Sequence, residues 1–180
     1  MKINKHYYSW HDIEDMCAKL VVEMHKDRWF PELIVGITRG GNVPATILSN
    51  MMDVPCDAVK ISLRDHIKTN DLNIKKIAEK SYGVFQQGVG IESPNILIVD
   101  DINDTGATFT KIVQQFNDIY RPGGWDHVWE NKTTRFAVLT ENLDSAFDQV
   151  SYSAHEINKA EDNVWLVYPW ESVGDYNETF

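Results

Sequence analysis

Apolar residues fall along this chain in two rhythms. From Ser9 to His25 they recur at helical spacing, as Trp10, Ile13, Cys17, Leu20 and Met24, joined by Met16 and Val21. That stripe predicts an amphipathic helix with one buried face. Ser9 and Asp12 ahead of it resemble a capping box, with Asp in the usual Glu position. Pro31 ends the region. Leu33-Ile34-Val35-Gly36-Ile37 is then an uninterrupted apolar run, the pattern of a strand buried on both faces. A helical segment follows over Val43 to Met52, and Ala58 to Leu63 predicts a third element, a strand. Ile96-Leu97-Ile98-Val99 is a second run buried on both faces. The pattern turns helical again at Phe109, Ile112, Val113 and Phe116, and ends near Tyr120. Arg135 to Leu139 and Val150 to Ala154 predict further strands, and Val164 to Tyr168 an edge strand stopped by Pro169. Strands alternating with helices predict an α/β fold around a central, mainly parallel sheet.

The polar residues that interrupt this pattern carry the chemistry. Asp100 and Asp101 follow the apolar run at once, and Asp104, Thr105, Gly106, Ala107 and Thr108 lead into the next helix. Ligands of open α/β sheets bind at such strand-to-helix junctions, where free N–H groups and the helix dipole attract anions. Gly106 permits a close backbone approach, and Thr105 and Thr108 add hydroxyl donors. These features suit a phosphate. Asp100 and Asp101 only accept hydrogen bonds at neutral pH, so they suit sugar hydroxyls or Mg²⁺. A ribose 5-phosphate has hydroxyls at one place and a phosphate at another. Thr38-Arg39-Gly40-Gly41 follows the earlier strand in the same way, and the Arg39 guanidinium offers a planar fork for phosphate oxygens. Competing motifs fail. There is no P-loop G-x-x-x-x-G-K-[ST]. An EF-hand begun at Asp101 meets Ile112 where Glu is needed. Gly88-Val89-Gly90 lacks a third glycine and precedes its strand. An aspartate-nucleophile phosphatase would need D-x-D, which Asp100-Asp101-Ile102 does not supply.

Composition narrows the class. A chain of 180 residues with 43% apolar content is expected to form one domain spanning 1–180. A net charge of −10 argues against nucleic-acid binding, and requires that any pyrophosphate be attracted locally. Cys17 and Cys56 match no zinc or redox spacing and are expected to be buried, reduced thiols of a cytoplasmic protein. No apolar run approaches membrane length, and the N-terminus lacks an apolar leader core.

Val99-Asp100-Asp101-Ile102-Asn103-Asp104-Thr105-Gly106-Ala107-Thr108 resembles the phosphoribosyl pyrophosphate motif of the type I phosphoribosyltransferases. Val164-Trp165-Leu166-Val167-Tyr168-Pro169-Trp170-Glu171 resembles the hood segment of the xanthine-guanine enzymes of that family and their hypoxanthine-using relatives. The resemblance covers Ser9 to Glu171, with the motifs in family order. It implies a type I phosphoribosyltransferase fold with a small C-terminal hood over about residues 140–180. It implies a Mg²⁺-dependent transfer of the 5-phosphoribosyl group from phosphoribosyl pyrophosphate to a purine, in a homo-oligomer. In this reading Asp100 and Asp101 hold the ribose hydroxyls, directly or through the metal. Asp104 to Thr108 hold the 5-phosphate, and Asp104 also serves as the group that takes the base proton. Thr38, Arg39 and Gly40 bind pyrophosphate. Thr38–Arg39 matches a peptide bond that is cis in some members. Trp165 stacks on the base beside Leu166. The long polar stretch Arg64 to Pro94, with Lys68, Lys75, Lys76 and Lys80, corresponds to a mobile lid. One departure is evident. These enzymes carry a lysine that contacts the purine 6-oxo group, shortly after the strand matching Phe136 to Leu139. Here Glu141 and Asn142 stand there, and Asn142 is the expected neutral donor. A non-catalytic phosphoribosyl pyrophosphate sensor, or transfer to another base, stays open.

Overall fold

A computed structural model describes residues 4–61, 94–120, 133–161 and 164–171. The expected lid lysines, together with Trp125, His127 and Trp129, lie outside the described residues. Five parallel strands form the main sheet in the order β3-β2-β4-β5-β6. They are β2 (Leu33–Thr38), β3 (Cys56–Lys60), β4 (Ile96–Asn103), β5 (Thr134–Asn142) and β6 (Val150–Ile157). A separate parallel pair joins β1 (Asn4–Tyr7) to β7 (Val164–Val167), with Asn4 opposite Val164. The helices are α1 (Trp10–Lys26), α2 (Asn42–Met52) and α3 (Ala107–Tyr120). None of the described helices is long and apolar enough to cross a membrane.

Local chemistry explains these elements. The capping box at α1 is formed as expected: Ser9 Oγ accepts from Asp12 N, and Asp12 Oδ2 accepts from Ser9 N at 2.7 Å. Ile13, Cys17, Leu20 and Met24 are fully buried on the face that the stripe marked out. The run Ile96-Leu97-Ile98-Val99 sends alternate side chains into two cores. Leu97 and Val99 pack with Leu20, Leu48 and Leu139 on one face of the sheet. Ile96 and Ile98 pack with Phe109, Ile112 and Phe136 on the other. A strand clad on both faces can be apolar throughout, which is why the run has no polar interruption.

Two features of the sheet create the site. The strand order places β3 on one side of β2 and β4 on the other, so the chain direction across the sheet reverses between β2 and β4. Such a switch point opens a crevice beyond the carboxyl ends of the strands. The ladders also end unevenly. Pairing of β4 with β2 stops at Val99 opposite Gly36. Pairing with β5 continues through Asp100 opposite Val138 to Asn103 opposite Glu141. The acidic pair therefore belongs to the end of a strand, not to a loop. It is supported by β5 alone and is open toward β2.

Candidate functional site

The crevice between β2 and β4 is a cavity of about 660 Å³, lined by Ile37, Thr38, Arg39, Gly40, Ile61, Asp100, Asp101, Thr108, Trp170 and Glu171. Six of the expected site residues thus meet in one place: Thr38, Arg39, Gly40, Asp100, Asp101 and Thr108. The Thr38–Arg39 peptide is cis, as the resemblance implied. Thr38 Oγ1 donates to the Val59 carbonyl at 3.3 Å, which ties the strand end to β3. The turn then passes straight into α2, whose first residues bond back to the loop, Val43 N donating to the Gly40 carbonyl at 3.2 Å.

The carboxylates are unusual in their surroundings. Burial pushes the Asp100 carboxyl well up, the neighbouring Asp101 charge adds to this, and N–H groups of Asp101 and Gly41 oppose it. Burial also raises Asp101, a hydrogen bond from Asp100 and backbone N–H groups oppose that, and Glu171 pushes it up further. Asp101 N donates to Asp100 Oδ1 at 3.0 Å, and Ile102 N to Asp101 Oδ1 at 2.9 Å. The Tyr168 hydroxyl donates to the Asp101 carbonyl at 3.0 Å, so the segment carrying Trp170 and Glu171 is fastened to the acidic strand end. Sequence reasoning did not select Trp170 or Glu171. Their signal was a position in the hood segment, but only the Tyr168 anchor shows that they face the crevice.

These buried, mutually repelling carboxylates have the donor chemistry of a divalent-cation site. Asp100 and Asp101, or one of them with Glu171, could hold Mg²⁺. Among the described residues no group of three or more such side chains converges as a ready-made cage. That fits a cation that takes one or two carboxylates and completes its shell with substrate oxygens and water.

Asp104 to Thr108 form the turn into α3. Gly106 has φ +80°, and a Cβ there would sit 2.5 Å from the Phe147 backbone nitrogen, so both conformation and space demand glycine. Ala107 N donates to Thr105 Oγ1 at 3.4 Å, and Ala146 N to the Thr105 carbonyl at 3.4 Å. Thr105, Gly106 and Ala107 thus shape the turn, and Thr108 is the member of this group that reaches the cavity wall.

The hood residues divide differently from the expectation. Leu166 is 7% exposed and packs in the core, whereas Trp165 is 57% exposed. The aromatic that lines the crevice is Trp170, stacked on Tyr168 with centroids 4.9 Å apart. Asn142 needs correction. It is 5% exposed, and its amide is engaged with backbone groups: Nδ2 donates to the Asp104 carbonyl at 2.8 Å, and Oδ1 accepts from Asp144 N and Lys159 N. An amide committed in this way braces the turn and does not read a base edge. Glu141, beside it, accepts from Asn103 Nδ2 at 2.8 Å. Its Oε2 is buried without a partner among the described residues.

Burial pushes the Glu141 carboxyl up to about 7, against the Asn103 hydrogen bond and with added repulsion from Glu156. The folded protein therefore keeps a proton that the unfolded chain releases near its ordinary glutamate range. Stability from this group is fully present below that range and is lost as pH rises toward about 7. Glu141→Gln is accordingly expected to melt higher than the parent at pH 8 and level with it at pH 4. Melting curves over that range check this, and an unchanged difference between the two proteins at both ends would refute it.

Comparison with known proteins agrees with this geometry. A curated hypoxanthine-guanine phosphoribosyltransferase of Schizosaccharomyces pombe is 23% identical over 184 residues, covering 92% of this chain and 88% of the relative. The crystal structure of a purine phosphoribosyltransferase from Pyrococcus horikoshii superposes with a TM-score of 0.63 at 20% identity, covering 94% of this chain and 95% of that one. A hypothetical protein from Neisseria gonorrhoeae, crystallised with bound ppGpp, gives a TM-score of 0.62 at 16% identity, with 96% and 92% covered. The model of the phosphoribosyl transferase domain matches residues 4–122. That span takes in both strand ends that form the crevice, together with the turn into α3, and the chain belongs to the phosphoribosyl transferase family.

Proposed function

We propose that the protein transfers the 5-phosphoribosyl group from phosphoribosyl pyrophosphate to a 6-oxopurine, xanthine, guanine or hypoxanthine, in nucleotide salvage. The observation that carries this reading is the single crevice in which Thr38, Arg39 and Gly40 face Asp100, Asp101 and Thr108. It pairs a cation and a backbone turn for phosphate groups with acceptors for ribose hydroxyls. Arg39 and the loop around Gly40 hold the pyrophosphate. Asp100 and Asp101 hold the ribose hydroxyls, and the turn from Asp104 to Thr108 holds the 5-phosphate at the start of α3. A purine ring nitrogen attacks the anomeric carbon, the bond from that carbon to the pyrophosphate oxygen breaks, and the base proton passes to Asp104. The ribosyl centre gains positive charge as the bond breaks, and the carboxylates near it favour that charge. Mg²⁺ at Asp100 and Asp101, with Glu171 close by, would neutralise the pyrophosphate oxygens. The base platform is assigned to Trp165, exposed on β7 outside the residues that line the crevice, with Trp170 on the crevice wall as the alternative.

The test is a panel of purine and pyrimidine bases with phosphoribosyl pyrophosphate and Mg²⁺, followed by pyrophosphate release, in the parent and in Trp165→Ala. A 6-oxopurine is the expected acceptor. Loss of stacking, worth roughly 1–3 kcal/mol per base by analogy with nucleic-acid sites, should raise the Michaelis constant for every accepted base about tenfold. Turnover confined to pyrimidines would overturn the acceptor assignment, and an unaltered Michaelis constant would remove Trp165 from the base site. A second reading, a non-catalytic phosphoribosyl pyrophosphate-binding regulator, draws on Glu141 at the strand end where the resembling enzymes place a lysine. The ppGpp-bound protein of like fold is in keeping with it. Tight binding without pyrophosphate release from any base would favour that reading.

A further inference from the structure

The loop after β6 brings a lysine to the turn that precedes α3. Lys159 Nζ lies 2.9 Å from Asp104 Oδ1, with the lysine side chain 26% exposed and the aspartate 47%. The backbones on both sides of this ion pair are fastened by one residue. Asn142 Nδ2 donates to the Asp104 carbonyl at 2.8 Å, and Asn142 Oδ1 accepts from Lys159 N at 3.1 Å. Asn142 is buried at the end of β5, where its Oδ1 also accepts from Asp144 N at 3.3 Å. Asp104 is therefore gripped twice, at its backbone from β5 and at its carboxylate from the loop after β6. The three residues close a circuit through three successive parts of the sheet.

A half-exposed ion pair adds little to stability, typically under about 1 kcal/mol. A free carboxylate on a turn has several rotamers, however, and a group that exchanges a proton with substrate must be held in one of them. A pair that is weak in energy yet anchored at both backbones is suited to setting an orientation. We propose that Lys159 is a positioning residue for Asp104, holding its carboxylate in the orientation in which it takes the base proton. This rests on the transferase reading above for the role of Asp104, but not for the circuit itself.

The experiment compares the full-length parent with Lys159→Met, Lys159→Arg, Asp104→Asn and the double variant Asp104→Asn/Lys159→Met. Lys159→Met is expected to lower kcat about tenfold while the KM for phosphoribosyl pyrophosphate stays within about twofold, since misplacing a reacting group costs rate more than binding. Lys159→Arg should restore most of the rate. In the Asp104→Asn background the lysine substitution should cost nothing more, because a residue acting through another has no effect once that one is gone. Losses that multiply would mean that Lys159 acts on substrate directly, and a parental kcat in Lys159→Met would mean that it does not act at all. Either overturns the proposal. If the parent turns over no base, the transferase reading fails and amide ¹H–¹⁵N spectra of the free proteins decide the circuit. Signals from 104–108 that move in Lys159→Met and stay in Lys159→Arg support it, and a spectrum unmoved in both overturns it.

Discussion

Exhaustive chelation is expected to abolish phosphoribosyl pyrophosphate binding, and turnover with it, by about a thousandfold in affinity. The size follows from the charges in the crevice. Asp100 and Asp101 stand side by side on the crevice wall, and Glu171 adds a third carboxylate to it. Arg39 is the one cation among the described lining residues. A pyrophosphate brought beside the acidic pair without a cation meets repulsion of roughly 4 kcal/mol per close pair of charges at an effective dielectric near 20. At about 1.4 kcal/mol per factor of ten, one such contact accounts for about three orders of magnitude. The dependence should appear without any turnover. Phosphoribosyl pyrophosphate together with Mg²⁺ should raise the melting temperature, because a ligand that binds only the folded state stabilises it. In chelator, phosphoribosyl pyrophosphate alone should leave it unmoved. Asp101→Asn separates electrostatics from simple damage to the site. Removing one negative charge lowers the repulsion in chelator while weakening the metal site, so the ratio of affinities with and without Mg²⁺ should shrink to under about tenfold. Undiminished binding by the parent after chelation would refute the assignment of the acidic pair.

The parts of this fold that were legible in the sequence are those whose physics is local. The capping box at Ser9 and the stripe of α1 depend on residues three and four apart. The run Ile96 to Val99 was readable because both of its faces are buried. Its continuation to Asn103 was not, because Asp100 and Asp101 break the apolar pattern and only the ladder with β5 keeps them in a strand. Strand β1 carries no pattern at all, since Asn4, Lys5, His6 and Tyr7 are all exposed and its existence depends on backbone pairing with distant Val164 to Val167. Strand β3 begins at Cys56, ahead of the expected Ala58, because its register with β2 sets Cys56 opposite Ile34, and the expected end at Leu63 lies outside the described residues. The site divides in the same way. Glycine and acid at a strand end announce an anion and metal pocket, and Thr38 to Gly40 and Asp100 to Asp101 do meet. Lys159 has no motif of its own, Trp170 and Glu171 have only their position in the hood segment, and the fold is what brings the three to the site. Asn142 stood at the right strand end, but sequence does not reveal where an amide spends its hydrogen bonds.

Gly40→Ala is expected to cost phosphoribosyl pyrophosphate affinity by two orders of magnitude or more while leaving most of the stability. The resemblance assigns Gly40 to binding pyrophosphate. The structure gives Gly40 and Gly41 a further and more demanding task, leaving room for a carboxylate at the first and for the β4 backbone at the second. A Cβ at Gly40 would stand 1.8 Å from Asp101 Oδ2 and 2.4 Å from its Cγ, so the carboxylate must leave its place. Rotation of that one side chain relieves the clash, at the cost of the bond that Asp101 Oδ1 accepts from Ile102 N. The fold can therefore survive while the metal and ribose acceptor is misdirected. Gly41 differs. A Cβ there would meet the Val99 carbonyl at 2.4 Å and Asp100 Cα at 2.6 Å, and backbone cannot rotate away. The whole turn would have to lift from β4, so Gly41→Ala should lose binding and also about 1–3 kcal/mol of stability, the usual cost of overpacking. Calorimetric titration with Mg²⁺-phosphoribosyl pyrophosphate and thermal melting of both variants separate the two effects. Gly40→Ala with parental affinity would show that the crevice does not need Asp101 where the structure holds it. Equal melting temperatures for both variants would mean that the turn yields more freely than its packing against the β4 backbone allows.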